Sequence, residues 1–228
     1  MELHLQIKMN PALYVRDPDS SELGRNILKH GIALIESIGF EEFTFKKLAA
    51  DIGTTEASIY RYFENKHRLL TYLTTWFWTW MEYQVIFHTN NLANASLKIE
   101  TIINMLTHEA KDQFIMEHVD KNVLNKIVIA EGNKAYLTKH VHEDNKAMIF
   151  KPYKDLCHRI AEIFLEYNPA YPYPHSLAST LIETAHHQLY FSKNLPRLTD
   201  FSSDNQHDLL SGFLSQLIFN SLNSNQSH

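Results

Sequence analysis

Between Thr44 and Leu70 the chain reads TFKKLAADIGTTEASIYRYFENKHRLL, and the residues able to do chemistry fall there in a fixed order. Five are basic (Lys46, Lys47, Arg61, Lys66 and Arg68) against three acidic (Asp51, Glu56 and Glu64). If the second half of the stretch is helical, Thr55, Glu56, Ser58, Arg61 and Tyr62 point outward together. Hydroxyls, a phenol and a guanidinium are the groups that donate to phosphate oxygens and to base edges, and arginine can take both acceptors of a guanine. The chemistry these types suit is recognition of a polyanion rather than bond breaking.

Such residues need a rigid mount. Thr44 can cap one short helix whose buried face is Leu48, Ala49 and Ile52. Gly53 supplies the backbone freedom for a tight turn. Thr54 or Thr55 can cap a second short helix, with Ile59 and Phe63 inward. Lys66 then opens a long helix through Leu69, Leu70, Leu73, Phe77 and Trp80 to about Phe87. A small residue (Ala49), a turn glycine (Gly53) and a closing apolar residue (Ile59), in that order, are what a helix–turn–helix requires to present one helix to the DNA major groove. A purely structural helical hairpin uses the same residue types, and spacing alone leaves both readings open.

The remainder is predicted to be all-α, with about nine helices. Residues 1–18 lack a helical period, contain Pro11 and Pro18, and are predicted to form an arm. Asp19, with Glu22 three residues on, has capping-box spacing before the stripe Leu23, Ile27, Leu34, Ile35 and Ile38, which Gly39 ends. Gly31 inside that stripe points to close packing. Further helices are expected at Ala95–Asp112, Asp120–Glu131, Glu143–Tyr167, His175–Lys193 and Ser203–Leu222, with Pro152 kinking the third of these or marking its first turn. No β-alternation or internal repeat is evident.

Composition bounds the function classes. Six glycines in 228 residues argue against nucleotide-loop and β-rich folds. The single cysteine, Cys157, excludes an intrachain disulfide and a multi-cysteine metal site and fits a reducing cytosol. No apolar run reaches the roughly 18–20 residues that cross a bilayer. The N-terminus MELHLQIKMNPAL has no basic region leading into a long apolar core, so no signal peptide is expected. A net charge of −5 opposes polyanion binding, although the Thr44–Leu70 segment is mildly basic and a dimer would present it twice.

The run ILKHGIALIESIGFEEFTFKKLAADIGTTEASIYRYFENKHRLL resembles the N-terminal DNA-binding domain of the tetracycline-repressor (TetR) family. The resemblance is carried by Gly39-Phe40, Phe43-Thr44, Leu48-Ala49, Gly53, the Ile59-Tyr60-x-Tyr62-Phe63 run, and Lys66 before Leu69-Leu70. It implies an arm (1–18), a helix–turn–helix domain (19–65) and a helical regulatory and dimerisation domain (66–228). It also implies that Thr44 and Lys46 touch phosphate, that Thr55, Ser58, Tyr60, Arg61 and Tyr62 lie on or beside the recognition helix, and that Lys66 contacts phosphate from the next helix. Arg61 is the best guanine reader. Tyr60 can donate its hydroxyl, pack its ring inward, or both. Two departures from the family pattern stand out. Gly31 falls near a usual alanine. Glu56 is acidic at a base-facing position, where it can accept from cytosine N4 or, the preferred reading, sit at the positive end of its own helix.

Outside that run the signals weaken. The aromatic stretch Thr74–Phe87 holds all three tryptophans and is either apolar core or the wall of a pocket drawing on Phe77, Trp80, His108 and Tyr136. His140, His142 and Glu143 lack a further ligand, and the adjacent His186 and His187 diverge on a helix, so no metal or other cofactor is expected. Cys157 reads as a small buried hydrophobe. The last two helices carry Leu181 and Leu189, then Leu209, Phe213 and Leu217. By resemblance they form a four-helix interface in a homodimer. The implied function is a cytoplasmic, ligand-responsive DNA-binding transcriptional regulator, most often a repressor, with an operator duplex and an apolar or aromatic effector as partners. The alternatives are a helical enzyme or small-molecule-binding protein with a structural N-terminal bundle, and a protein-interaction adaptor docking through the aromatic helix.

Overall fold

The computed structural model describes residues 7–109, 119–201 and 205–224. The expected helix boundaries at Asp112 and Ser203, and the first six residues of the expected arm, lie outside them. Among the described residues there are eleven α-helices and no strand. The two additional helices are short: Asn133–Tyr136 (α7) follows the expected end of the helix at Glu131, and Val141–Lys146 (α8) takes the first residues of the helix expected at Glu143–Tyr167, which therefore begins later.

The chain divides into two compact units, Met1–Trp80 with Lys111–Pro152, and Met81–Ala110 with Tyr153–His228. The first unit is built on α1 (Glu22–Glu42), which packs against α2 (Phe45–Ile52) and α6 (Lys121–Glu131). Its N-cap is Ser21, whose hydroxyl accepts from the Gly24 N–H. This corrects the expectation for Asp19, which instead lies in a 3-10 turn, Pro18–Ser20, capped by Asp17. Gly39 leaves helical geometry at φ +76° and lets the chain bend before the last turn of α1. Ile27, Leu28, Ile32 and Ile35 form the inward stripe, closed by Phe40 and Phe43.

The long helix α4 (Lys66–Thr89) gives its first four turns or so to this unit. Trp76, Phe77, Trp78 and Trp80 are all at least 95% buried, with Phe77 edge-on to Trp78 and tilted against Trp80. The first half of the aromatic stretch is therefore core, while Tyr83 and Phe87 beyond it are exposed. Helix α9 (Lys151–Tyr167) starts one residue before Pro152, so the proline stands in the first turn, where its missing N–H costs no helical bond.

The second unit packs α5 (Ala95–Thr107), α10 (Pro174–Asn194) and α11 (Gln206–Asn223) against one another. Leu177, Leu181, Ala185 and Leu189 of α10, and Leu210, Leu214, Ile218 and Leu222 of α11, form four-residue stripes turned into this core. Leu181 is wholly buried and Leu189 nearly so. Their expected role at a dimer interface is corrected for that reason: these side chains are already packed inside the chain. Leu209 and Phe213 remain 48% and 40% exposed, with Leu217 half-buried.

Candidate nucleic-acid interface

Helix α2 is held at both ends. Thr44 accepts from the Lys47 N–H at its start, and Gly53 adopts the left-handed conformation (φ +75°, ψ 35°) at its end. Thr54 N–H donates to the Ala49 carbonyl, closing the turn. Thr55 then caps α3 (Glu56–Tyr60), its hydroxyl accepting from the Ser58 N–H and pairing with Ser58 Oγ at 2.9 Å. The recognition element is thus a five-residue helix, and Tyr62 and Phe63 just beyond it turn into the core.

Each predicted contact can be placed. Arg61, Lys46 and Tyr60 are exposed, and among the described residues no hydrogen-bond or ion-pair partner engages Arg61 or Lys46. Tyr60 does two things at once. Its ring packs edge-on to Phe45 at 5.1 Å, and its hydroxyl, 3.4 Å from Glu56 Oε1, stays at the surface. Glu56 occupies the first turn of α3, where a carboxylate meets the positive end of the helix.

Two expectations change. Tyr62 is 97% buried, its hydroxyl 2.8 Å from Ser21 Oγ, so it fastens α3 to the start of α1 instead of facing outward. Lys66 Nζ donates to the carbonyls of Phe40, Glu41 and Phe43 at 3.0–3.1 Å and lies over the Phe40 ring. All three of its protons are engaged where α1 runs out of intrahelical partners, so it is a helix cap and not a phosphate ligand. Lys47 binds the Glu42 carbonyl and carboxylate, and Arg68 pairs with Asp144 at 2.9 Å. Of the five cations in the motif, Lys46 and Arg61 remain uncommitted.

Residues 27–73 match the model of the bacterial regulatory proteins, tetR family. Over that N-terminal segment the chain is tetR-like. No curated protein matches it in sequence. Solved structures share the tetR-like fold. One is AibR in complex with isovaleryl coenzyme A and operator DNA (19% identity, covering 86% of this chain and 98% of that one, TM-score 0.58). Another is a TetR transcriptional regulator from Legionella pneumophila (23% identity, 86% and 97% covered, TM-score 0.55). A third is the fatty acid degradation regulator FadR from Bacillus halodurans (16% identity, 85% and 96% covered, TM-score 0.53).

The other predicted sites separate. Phe77 and Trp80 are core, and Tyr136 stands edge-on to Phe150 in the same unit. His108 belongs to the second unit, where its Nε2 lies 3.3 Å from Asp208. No group of three or more metal-ligating side chains occurs among the described residues. Burial pushes the Cys157 thiol up to about 12, with the Glu183 carboxylate adding to the effect, which makes it unreactive. No described helix is long and apolar enough to cross a membrane.

Proposed function

We propose that this chain is a tetR-family transcriptional regulator, not an enzyme, that binds operator DNA through α2 and α3 as a homodimer and releases or gains it on binding a small molecule. The observation that carries the reading is the capped α2–turn–α3 element. It leaves Arg61 and Lys46 as free, exposed cations beside the hydroxyls of Thr55, Ser58 and Tyr60. In this reading Arg61 reads a base edge or neutralises a phosphate, Lys46 and Thr44 hold the flanking backbone, and Tyr60 donates to a phosphate oxygen. The cytoplasm, where the chromosome lies, is the proposed compartment.

Dimerisation is supported by α11, which keeps Leu209 and Phe213 exposed although its opposite stripe fills the core. A two-fold pair brings two recognition helices to half-sites about one DNA turn apart. The effector is proposed to be a compound with an apolar part. The neighbour solved with both isovaleryl coenzyme A and operator DNA supports that class, as does the aromatic content of this chain. Any effector must bind one separation of the recognition helices better than the other, since equal affinity shifts nothing.

Fluorescence anisotropy with duplexes from the gene's own upstream region, titrated with salt, tests the DNA reading. Binding is expected to weaken steeply with salt, and Arg61→Ala to cost about 1–3 kcal/mol if Arg61 meets a guanine. Absence of binding to every fragment at low salt would overturn it. Mass spectrometry of molecules that co-purify with the protein tests the effector.

A further inference from the structure

The described part of the N-terminal arm is not loose. Ile7, Met9 and Leu13 are buried, and the Val15 N–H donates to the Tyr62 carbonyl at 2.8 Å. That bond fastens the arm immediately beyond the C-terminal end of α3. The next residue, Arg16, is exposed, and its guanidinium carbon lies 5.4 Å from the centre of the Tyr62 ring. The ring is itself fixed by the Tyr62 hydroxyl against Ser21. Among the described residues no carboxylate pairs with Arg16. Asp17, its neighbour, turns Oδ1 to the Asp19 N–H at 2.9 Å.

A five-residue helix is only about 7.5 Å long and can span few phosphates by itself. Two of the motif's five cations are free, as shown above, so further neutralisation must come from segments fixed beside it. Arg16 meets each requirement. It is charged, it is held by backbone and ring contacts that leave its N–H fork unused, and its fork matches the two oxygens of a phosphate.

We propose that Arg16, carried on the N-terminal arm, is a DNA-backbone contact of the interface, binding a phosphate beside the C-terminal end of α3. The proposal rests on the DNA-binding reading above and extends the interface to a segment outside the helix–turn–helix. Because a phosphate carries no base identity, the contribution is uniform across sequences.

The test compares wild type, Arg16→Ala, Arg16→Lys and Arg61→Ala on a short mixed-sequence duplex and on upstream fragments over a salt series, with thermal unfolding measured alongside. Arg16→Ala is expected to make the slope of log K against log salt shallower by about 0.9 for each bound copy. Arg16→Lys is expected to keep the wild-type slope, and the melting temperature to stay near that of wild type. An unchanged slope and affinity in Arg16→Ala, while Arg61→Ala weakens binding, overturns the proposal and leaves the DNA reading intact. A loss in Arg16→Lys as large as in Arg16→Ala also overturns it, since packing rather than charge would then be responsible. Failure of wild type to bind any duplex at low salt overturns both.

Discussion

Lys66 illustrates how one side chain can be given a different partner by resemblance than by the fold. It opens α4 as expected, but its ammonium closes three carbonyls at the end of α1. Lys66→Ala would leave those acceptors without their charged donor, at a cost of about 2–3 kcal/mol. Chemical denaturation is expected to register that loss, while DNA affinity measured on folded protein stays near wild type. The glycines of α1 divide in the same way. A Cβ on Gly24 would lie 2.1 Å from the Pro18 carbonyl oxygen, and backbone cannot yield cheaply. Gly24→Ala is expected to destabilise by about 3 kcal/mol or more. On Gly31 the nearest atom would be Leu69 Cδ2 at 3.5 Å, an ordinary contact. Gly31→Ala therefore gains helix propensity, about 1 kcal/mol, and should raise the melting temperature by about 2–4 °C in calorimetry.

At the scale of the element, α3 depends on its cap. A helix of five residues has too few internal bonds to persist alone, and Thr55 satisfies one of its orphan N–H groups while also holding Ser58. Thr55→Ala is expected to cost about 1 kcal/mol of stability. Its larger effect should be on DNA affinity, because a frayed α3 no longer fixes Arg61; parallel melting and anisotropy measurements separate the two. The same element shows what was legible. Thr44, Gly53 and Thr55 act on the backbone within three or four residues, so their roles can be read from local spacing. Tyr62 could not be placed that way. Whether it faces out or in depends on Ser21, 41 residues earlier in the chain.

For the molecule as a whole, the second unit contains a built-in acid sensitivity. Burial among apolar side chains pushes His186 down to about 4, against a smaller upward pull from Glu183. An unfolded chain binds this proton near pH 6.5, the folded one only near 4, so the contribution to stability is complete above pH 6.5 and is lost as pH falls through that window. The loss is of order 3 kcal/mol, at about 1.4 kcal/mol per pH unit. Urea titrations from pH 7 to 4 are expected to show it, and His186→Leu to flatten it; an equally steep decline in that variant would assign the effect elsewhere. For assembly, Phe213→Glu places a charge on the exposed face of α11 and is expected to shift sedimentation from dimer to monomer without changing helix content.

By itself, the sequence determined the helical class and the capped helix–turn–helix, because caps, turn glycines and apolar stripes act over distances of one or two helical turns. It could not decide which cations stay free for a polyanion. Lys47, Lys66, Arg68 and Arg61 look alike in a charge count, and they are told apart by whether a carbonyl or carboxylate from another part of the chain reaches them first. Nor could it decide that Leu181 belongs to the core while Leu209 faces outward, or that an arm without helical period would set Arg16 beside the recognition helix. Those outcomes depend on which surfaces meet once the chain has folded, and only the tertiary structure supplies that.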